Sequence, residues 1–286
     1  MSDQPIAVFD SGLGGLTVVR AIGRHLPGET IVYFGDTARV PYGSKSQQTI
    51  LQFSEQNCQF LLQFDPKLIV VACNTASALA LRDLESRVSV PLVGVIEPGA
   101  SEAVFRARGG PIAVLATEAT VASGAYLKAI QRLSPRTSVM QRRCPSLVPL
   151  IEEGRSASDP ILRMLAAEYL EDVRPLNPAV VLLGCTHYPL VQEAIAELMP
   201  GAEVVDSADA TARQIKTMLA AEGNLSGRTT GGRLRCYVSD NPQRFREVGA
   251  RFLGSAYGGI RDVAWVTPEQ FFHESVASGS FVQQSF

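Results

Sequence analysis

The chain has 286 residues, enough for two domains of about 140, each able to bury a core without a disulfide or metal staple. Hydrophobic residues make up 46% and charged residues 19%, a balance that excludes a disordered or fibrous chain. Lys plus Arg number 26 against 28 Asp plus Glu, so the net charge of -2 excludes the basic surface of a general nucleic-acid or membrane-surface binder.

In chain order, residues 5–9, 30–34, 67–72, 91–95, 112–116, 179–183 and 234–238 read as strands. Several are apolar throughout, as parallel strands covered on both faces require. Between them, 16–26, 47–64, 76–87, 119–133, 161–173, 189–198 and 210–221 have helical spacing, and Asp159–Pro160 has the form of a helix cap followed by a first-turn proline. The alternation predicts an α/β fold with right-handed crossovers. The longest apolar runs, 68–73 and 179–183, fall short of the roughly 20 residues of a bilayer span. The opening MSDQPIAVFD lacks a basic stretch ahead of an apolar one, so a cytoplasmic protein is expected.

An internal echo refines this organisation. Ile6-Ala-Val-Phe-Asp10-Ser-Gly is answered by Ile112-Ala-Val-Leu-Ala-Thr117-Glu, and Val70-Val-Ala-Cys73-Asn-Thr by Leu182-Leu-Gly-Cys185-Thr-His. It predicts two pseudo-symmetric α/β domains with mainly parallel sheets and a site in the cleft between them. The expected division is 1–97 plus 208–286 against 98–207, with crossings near 96–99 and 206–210. The tail, 266–286, reads as a loosely docked end.

The five cysteines are odd in number and scattered, with no CxxC pair, and His25, His187 and His273 are isolated. Neither a disulfide framework nor a metal site is expected. Cys58, Cys144 and Cys236 read as small buried hydrophobes. Cys73 and Cys185 differ, because each ends an apolar strand where a helix is about to begin. That edge of an open α/β sheet is where ligands bind, and helix N-termini there lower a thiol pKa from its reference of about 8.5. Short polar donors follow each cysteine: Asn74 and Thr75, then Thr186 and His187.

The turn Asp10-Ser11-Gly12-Leu13-Gly14-Gly15 follows the first strand. As a nucleotide cradle it fits poorly, lacking both GxGxxG and a following GK[ST]. Tight strand-to-helix geometry exposing Asp10 and Ser11 to the cleft suits it better. A second polar loop, Gly35 to Ser44, offers backbone amides and the hydroxyls of Tyr42 and Ser44 to a small anion, although a plain connector would look the same. Thr117, Thr120 and Glu152 are strand-end or loop polar residues with no independent claim.

The segments AVFDSGLGGLTV (7–18), YFGDTARVPYGSKS (33–46), VVACNTAS (70–77) and LLGCTHYPLV (182–191) together resemble the bacterial glutamate racemases. The likeness continues through VLATEATVASGAY (114–126) and CPSLVPLIEEG (144–154), and adds little beyond Gly223. It implies cofactor-independent interconversion of L- and D-glutamate, supplying D-glutamate for peptidoglycan. By motif, it implies catalytic thiols at Cys73 and Cys185 and substrate-binding residues Asp10, Ser11, Tyr42, Gly43, Ser44, Asn74, Thr75, Thr186 and His187. Thr117, Thr120 and Glu152 match supporting positions. On this basis Asp10 is expected to assist Cys73, and His187 with Glu152 to assist Cys185. The implied partners are the small-molecule substrate and a second copy in a homodimer or monomer–dimer equilibrium, with neither membrane nor nucleic acid.

Two opposed thiols suit racemisation, because one removes the α-proton while the other returns one to the opposite face. Pyridoxal phosphate is the common alternative, but Lys45, Lys67, Lys128 and Lys216 include none at a convincing strand end, and no phosphate motif accompanies Lys45. Three rival readings stay open at this stage. One is a racemase of the same superfamily acting on aspartate, and another is a nucleotide-binding protein with inert cysteines. The third is a second role against DNA gyrase, carried by family analogy and the basic stretch 227–235, which a solvated loop explains better.

Overall fold

The computed structural model describes residues 2–267 and 270. In chain order the first elements are β1 (Ile6–Asp10), α1 (Leu16–His25), β2 (Ile31–Gly35), α2 (Gln47–Leu62), β3 (Leu68–Val71), α3 (Asn74–Leu79), α4 (Leu81–Leu84), β4 (Leu92–Gly94) and α5 (Ile96–Ala107). There follow β5 (Ile112–Ala116), α6 (Glu118–Ser123), α7 (Ala125–Leu133), β6 (Val139–Arg143), α8 (Leu147–Glu152), α9 (Pro160–Leu170) and β7 (Val180–Gly184). The chain continues through α10 (Gln192–Leu198), β8 (Glu203–Asp206), α11 (Ala208–Ala221), β9 (Leu234–Val238), α12 (Pro242–Leu253) and β10 (Val263–Trp265).

Every strand pair is parallel. A six-stranded sheet has the order β10-β9-β2-β1-β3-β4, and a four-stranded sheet the order β6-β5-β7-β8. The chain is therefore an α/β protein built on two parallel sheets, and all seven predicted strands are present. The alternation of side chains along each strand explains how the sheets are covered. Ile6 and Val8 of β1, Leu68 and Val70 of β3, Leu115 of β5 and Leu183 of β7 enter one core that spans both sheets. Phe9 and Val71 face a second core with α2, whereas Val114 and Leu182 face a third with α5 and α7. Because the first cluster is continuous, the C-terminal edges of both sheets are held against one another.

Two predicted helices are broken. The helix expected over 119–133 is divided at Gly124, whose φ of +65° lies in the left-handed region and ends α6. The helix expected over 76–87 begins two residues earlier and breaks at Ala80, where the backbone leaves helical geometry (φ -122°). The crossing expected near 96–99 is the first turn of α5, where Pro98 is tolerated because it displaces no intrahelical donor. Asp159 does cap α9, accepting from the amides of Ile161 and Leu162 at 2.9 and 3.0 Å. Val266 is buried and its amide donates to Val238 O, while the rest of the tail expected to be loosely docked lies, apart from Thr267 and Gln270, outside the described residues.

Lys67 sits at the opposite end of the large sheet from the cysteines. Its Nζ lies 2.6 Å from Glu29 Oε2, with both side chains almost fully buried, and donates to Asn224 O at 2.8 Å. Glu29 Oε1 accepts from the Ser226 amide at 2.7 Å, so the pair anchors the segment leading to β9. Removing one member leaves the other charge buried and unpaired. Lys67→Met is expected to cost about 3–5 kcal/mol, read as a fall in the denaturation midpoint. The basic stretch 227–235 is exposed except at Gly232 and Leu234, and Arg228 donates to Thr30 Oγ1. No helix among the described residues is long and apolar enough to cross a membrane.

Candidate active site

The strands that carry the sequence motifs end together. In the large sheet, β1 delivers Asp10 beside Gly35 of β2, and β3 leads directly into Cys73, Asn74 and Thr75. In the small sheet, Ala116 of β5 pairs with Gly184 of β7, so Thr117 and Cys185 leave the edge side by side. Both thiols are buried, at 5% and 6% exposure, and lie close enough that Cys185 opposes ionisation of Cys73.

Each thiol has its own polar company. Cys73 Sγ lies 3.8 Å from Ser11 Oγ, with the Ala76 amide also directed at the sulfur. The sequence suggested a thiol of lowered pKa here, and the structure reverses that. Burial, followed by the Asp10 carboxylate, pushes Cys73 up to about 12, and the amide and Ser11 offset only part of this. Asp10 is itself wholly buried, and burial raises its pKa against the pull of His187 and the Gly12 and Gly15 amides. Its Oδ2 accepts from Gly12 N at 2.9 Å and its Oδ1 from Thr186 Oγ1 at 3.4 Å, so it faces residues from both sheets.

On the other side, Cys185 Sγ lies 4.0 Å from His187 Nδ1, and His187 Nε2 lies 2.9 Å from Glu152 Oε1. Burial alone would push the imidazole down. Hydrogen bonds and charge from Cys185 and Glu152 outweigh it and raise His187 to about 10. Glu152 is correspondingly held below the ordinary glutamate range, because the His187 hydrogen bond and charge, joined by the Arg244 charge, together exceed its own burial penalty. A histidine raised from 6.5 to about 10 contributes stability that is complete below 6.5 and is lost as pH rises through 10. Glu152→Gln removes part of that raise. The alkaline loss of stability is expected to move from near pH 10 toward neutrality, read by NMR titration of His187 alongside denaturation midpoints.

The remaining candidates knit the two sheets together. Thr75, Thr117 and Thr120 form a triangle of hydroxyls, with Oγ1 separations of 3.0, 3.1 and 2.9 Å. Gly43 approaches Thr117 so closely that an added Cβ would lie 2.7 Å from the threonine Cβ. The glycine-rich turn acts in the same way, since a Cβ on Gly14 would meet Thr186 Oγ1 at 2.1 Å and His187 Nδ1 at 2.5 Å. Neither Gly14 nor Gly15 has a positive φ, so close approach is what makes glycine necessary there.

Two candidates behave differently from expectation. The Tyr42 hydroxyl is buried and bonded to Asp36 Oδ2, with Asn57 Nδ2 donating to it at 3.2 Å. Ser44 is exposed. The Tyr42 phenol is therefore committed to holding the loop, whereas the Ser44 hydroxyl is open to solvent.

Asp36, which the motif reading passed over, is the hub of that arrangement. It accepts from Arg39 Nε at 2.6 Å and from Ser239 Oγ at 3.0 Å. Its position one residue after a strand, like that of residues following the other site strands, was a usable signal. The helix α12 was also missed. Its Phe252 ring stands edge-on to His187 at 5.2 Å, and Arg251 Nη1 donates to Ile151 O at 2.9 Å, bracing the helix that carries Glu152. The cap-and-proline pair Asn241–Pro242 marks its start in the sequence. Cys58, Cys144 and Cys236 are buried thiols that burial raises to about 12, in keeping with packing roles. Among the described residues no cluster of three or more His, Cys, Asp or Glu side chains is arranged to hold a metal ion.

Two parallel sheets whose C-terminal edges bring buried thiols, a carboxylate and a histidine–glutamate pair together define an α/β enzyme. The profile of the Asp/Glu/hydantoin racemase family matches residues 14–215. A glutamate racemase of Geobacter metallireducens is 46% identical over 263 residues, 91% of this chain and 97% of that one. Among solved structures, glutamate racemase of Francisella tularensis in complex with D-glutamate superposes with a TM-score of 0.85 at 36% identity, covering 93% of this chain and 98% of that one. The Thermus thermophilus glutamate racemase, in complex with β-chloro-D-alanine, gives 0.83 at 42% identity, covering 94% and 100%. The chain belongs to the Asp/Glu/hydantoin racemase family.

Proposed function

We propose that this enzyme interconverts L- and D-glutamate by two-base proton transfer at Cα, with Cys73 and Cys185 as the bases. The observation that carries the reading is the pairing of two buried thiols from different sheets, each with separate polar partners. One thiolate takes the α-proton and becomes a thiol, leaving the C–H electron pair on Cα and delocalised into the carboxylate. The opposed thiol then donates its proton to the other face of Cα and becomes the thiolate. The reverse reaction exchanges the roles.

Cys73, held as a thiol by burial and Asp10, is the acid of the resting site. A substrate ammonium placed beside Asp10 supplies the opposite charge that favours its thiolate. His187, protonated at neutral pH and hydrogen-bonded to Glu152, faces the Cys185 sulfur and stabilises charge there. Buried hydroxyls and amides around both thiols bind the charged groups of an amino diacid. Glutamate is favoured over aspartate by the likeness to glutamate racemases at 36–46% identity across most of the chain. The D-glutamate formed would serve peptidoglycan synthesis, as the family resemblance implies.

The test is incubation of the protein, freed of pyridoxal phosphate, with L-glutamate in D2O, following optical rotation and α-deuterium together. Loss of rotation, with deuterium entering mainly the product enantiomer at early times, is the expected result. Neither exchange nor rotation on glutamate, with turnover of aspartate under the same conditions, would transfer the assignment to the four-carbon diacid.

A further inference from the structure

The motif 114–126 ends on a tyrosine to which neither thiol gives a role. Tyr126, on α7 beside the small sheet, is wholly buried, and its Oη lies 2.6 Å from Asn74 Oδ1 on α3 beside the large sheet. At that distance the contact is an O–H···O bond rather than an N–H···O bond, whose usual separation is about 2.9–3.0 Å. The phenol thus donates and the amide oxygen accepts, which turns Asn74 Nδ2 to the other side. That Nδ2 is buried and has no hydrogen-bond partner, although the residue follows Cys73 directly and is only 3% exposed. A buried donor without a partner is unfavourable unless a ligand completes it.

The ring cannot easily leave this position. A Cβ on Gly184 would lie 2.9 Å from Tyr126 Cε2, and one on Gly99 would lie 3.3 Å from Oη and 2.9 Å from Ser207 Cβ. Two glycines therefore form the slot that admits the ring, and Ser207 lies against the hydroxyl. With its own proton directed to Asn74, Oη retains acceptor capacity toward the neighbouring Ser207 hydroxyl.

We infer that Tyr126, backed by Ser207, is a positioning residue that fixes the polarity of the Asn74 carboxamide, so that Nδ2 presents its N–H donors to an anionic oxygen of the substrate. The inference rests on the function proposed above, with a carboxylate as the ligand. Tyr126→Phe keeps the ring in its slot and frees the amide to turn. KM for glutamate is expected to rise about tenfold with kcat changed less than threefold, the pattern of lost binding shared by ground and transition states. Ser207→Ala should raise KM in the same direction by a smaller factor.

A double-mutant cycle separates positioning from general loosening. In an Asn74→Ala background, adding Tyr126→Phe is expected to leave KM within twofold, because the amide it orients is gone. If the wild-type protein does not racemise glutamate, the underlying function fails. If it does, and Tyr126→Phe leaves KM unchanged or raises it equally in the Asn74→Ala background, the positioning role is overturned. The Ser207→Ala arm stands alone, and an unchanged KM there removes the backing role.

Discussion

Cys73→Ala should abolish racemisation in both directions, by at least about a thousandfold, while leaving the protein able to exchange the α-proton of one glutamate enantiomer. The single remaining thiol, Cys185, still faces one side of Cα with His187 and Glu152 behind it. It can remove a proton and return a solvent-derived one to the same face. Cys185→Ala should give the mirror result, with exchange confined to the other enantiomer. Alanine at either site removes one small buried group, and the polar partners of the two thiols, Ser11 and the Ala76 amide for Cys73 and His187 for Cys185, do not overlap. Exchange followed by NMR, alongside optical rotation, reads both quantities. Exchange from the same enantiomer in both variants, or full racemisation in either, would sink the two-thiol scheme.

Gly14→Ala is the second substitution with a large expected effect, although it touches no proton-transfer group by chemistry. The new methyl would lie 2.1 Å from Thr186 Oγ1 and 2.5 and 2.7 Å from two atoms of the His187 ring. These are side-chain atoms, so the fold can relieve the clash by rotating them, and stability should fall modestly. The relief displaces His187 from Cys185 and Thr186 from Asp10. Misplacement by about 1 Å in a catalytic constellation is worth roughly a hundredfold in rate. The expected outcome is a fall in kcat/KM of about that size with a melting temperature only a few degrees lower. Activity within threefold of the unmodified protein would show that the turn does not hold the histidine.

The parts of this molecule that were legible in its sequence are those buried on both sides. The strands β1, β2, β3, β5 and β7 are buried throughout, and a run such as LIVV or VVLLG has few other uses. The strands that went unread, β6, β8 and β10, are three of the four sheet-edge strands. An edge strand needs one covered flank, so VMQRR and EVVD carry polar residues that blur the pattern. Both thiols were visible because a cysteine after a strand, followed by polar donors, is an uncommon arrangement. The electrostatics of Cys73 were not visible, because the burial that raises its pKa is a property of the folded chain. Arg251 was hidden for a related reason. It acts through the backbone carbonyl of Ile151, 100 residues away in the chain, which leaves no spacing to read.

The strand order has a consequence for how the chain must be made. The β2 strand pairs with β1 on one side and with β9 on the other, yet β9 begins roughly 200 residues after β2 ends. At a synthesis rate of about 5–20 residues per second, the nascent protein carries that open strand edge for about 10–40 s before its neighbour leaves the ribosome. The small sheet, whose strands are contiguous in sequence, can be completed during this interval. The large sheet is closed last, by the segment that also carries α12 to the His187–Glu152 pair, so a truncated translation product would leave an unpaired parallel strand and an unbraced histidine together.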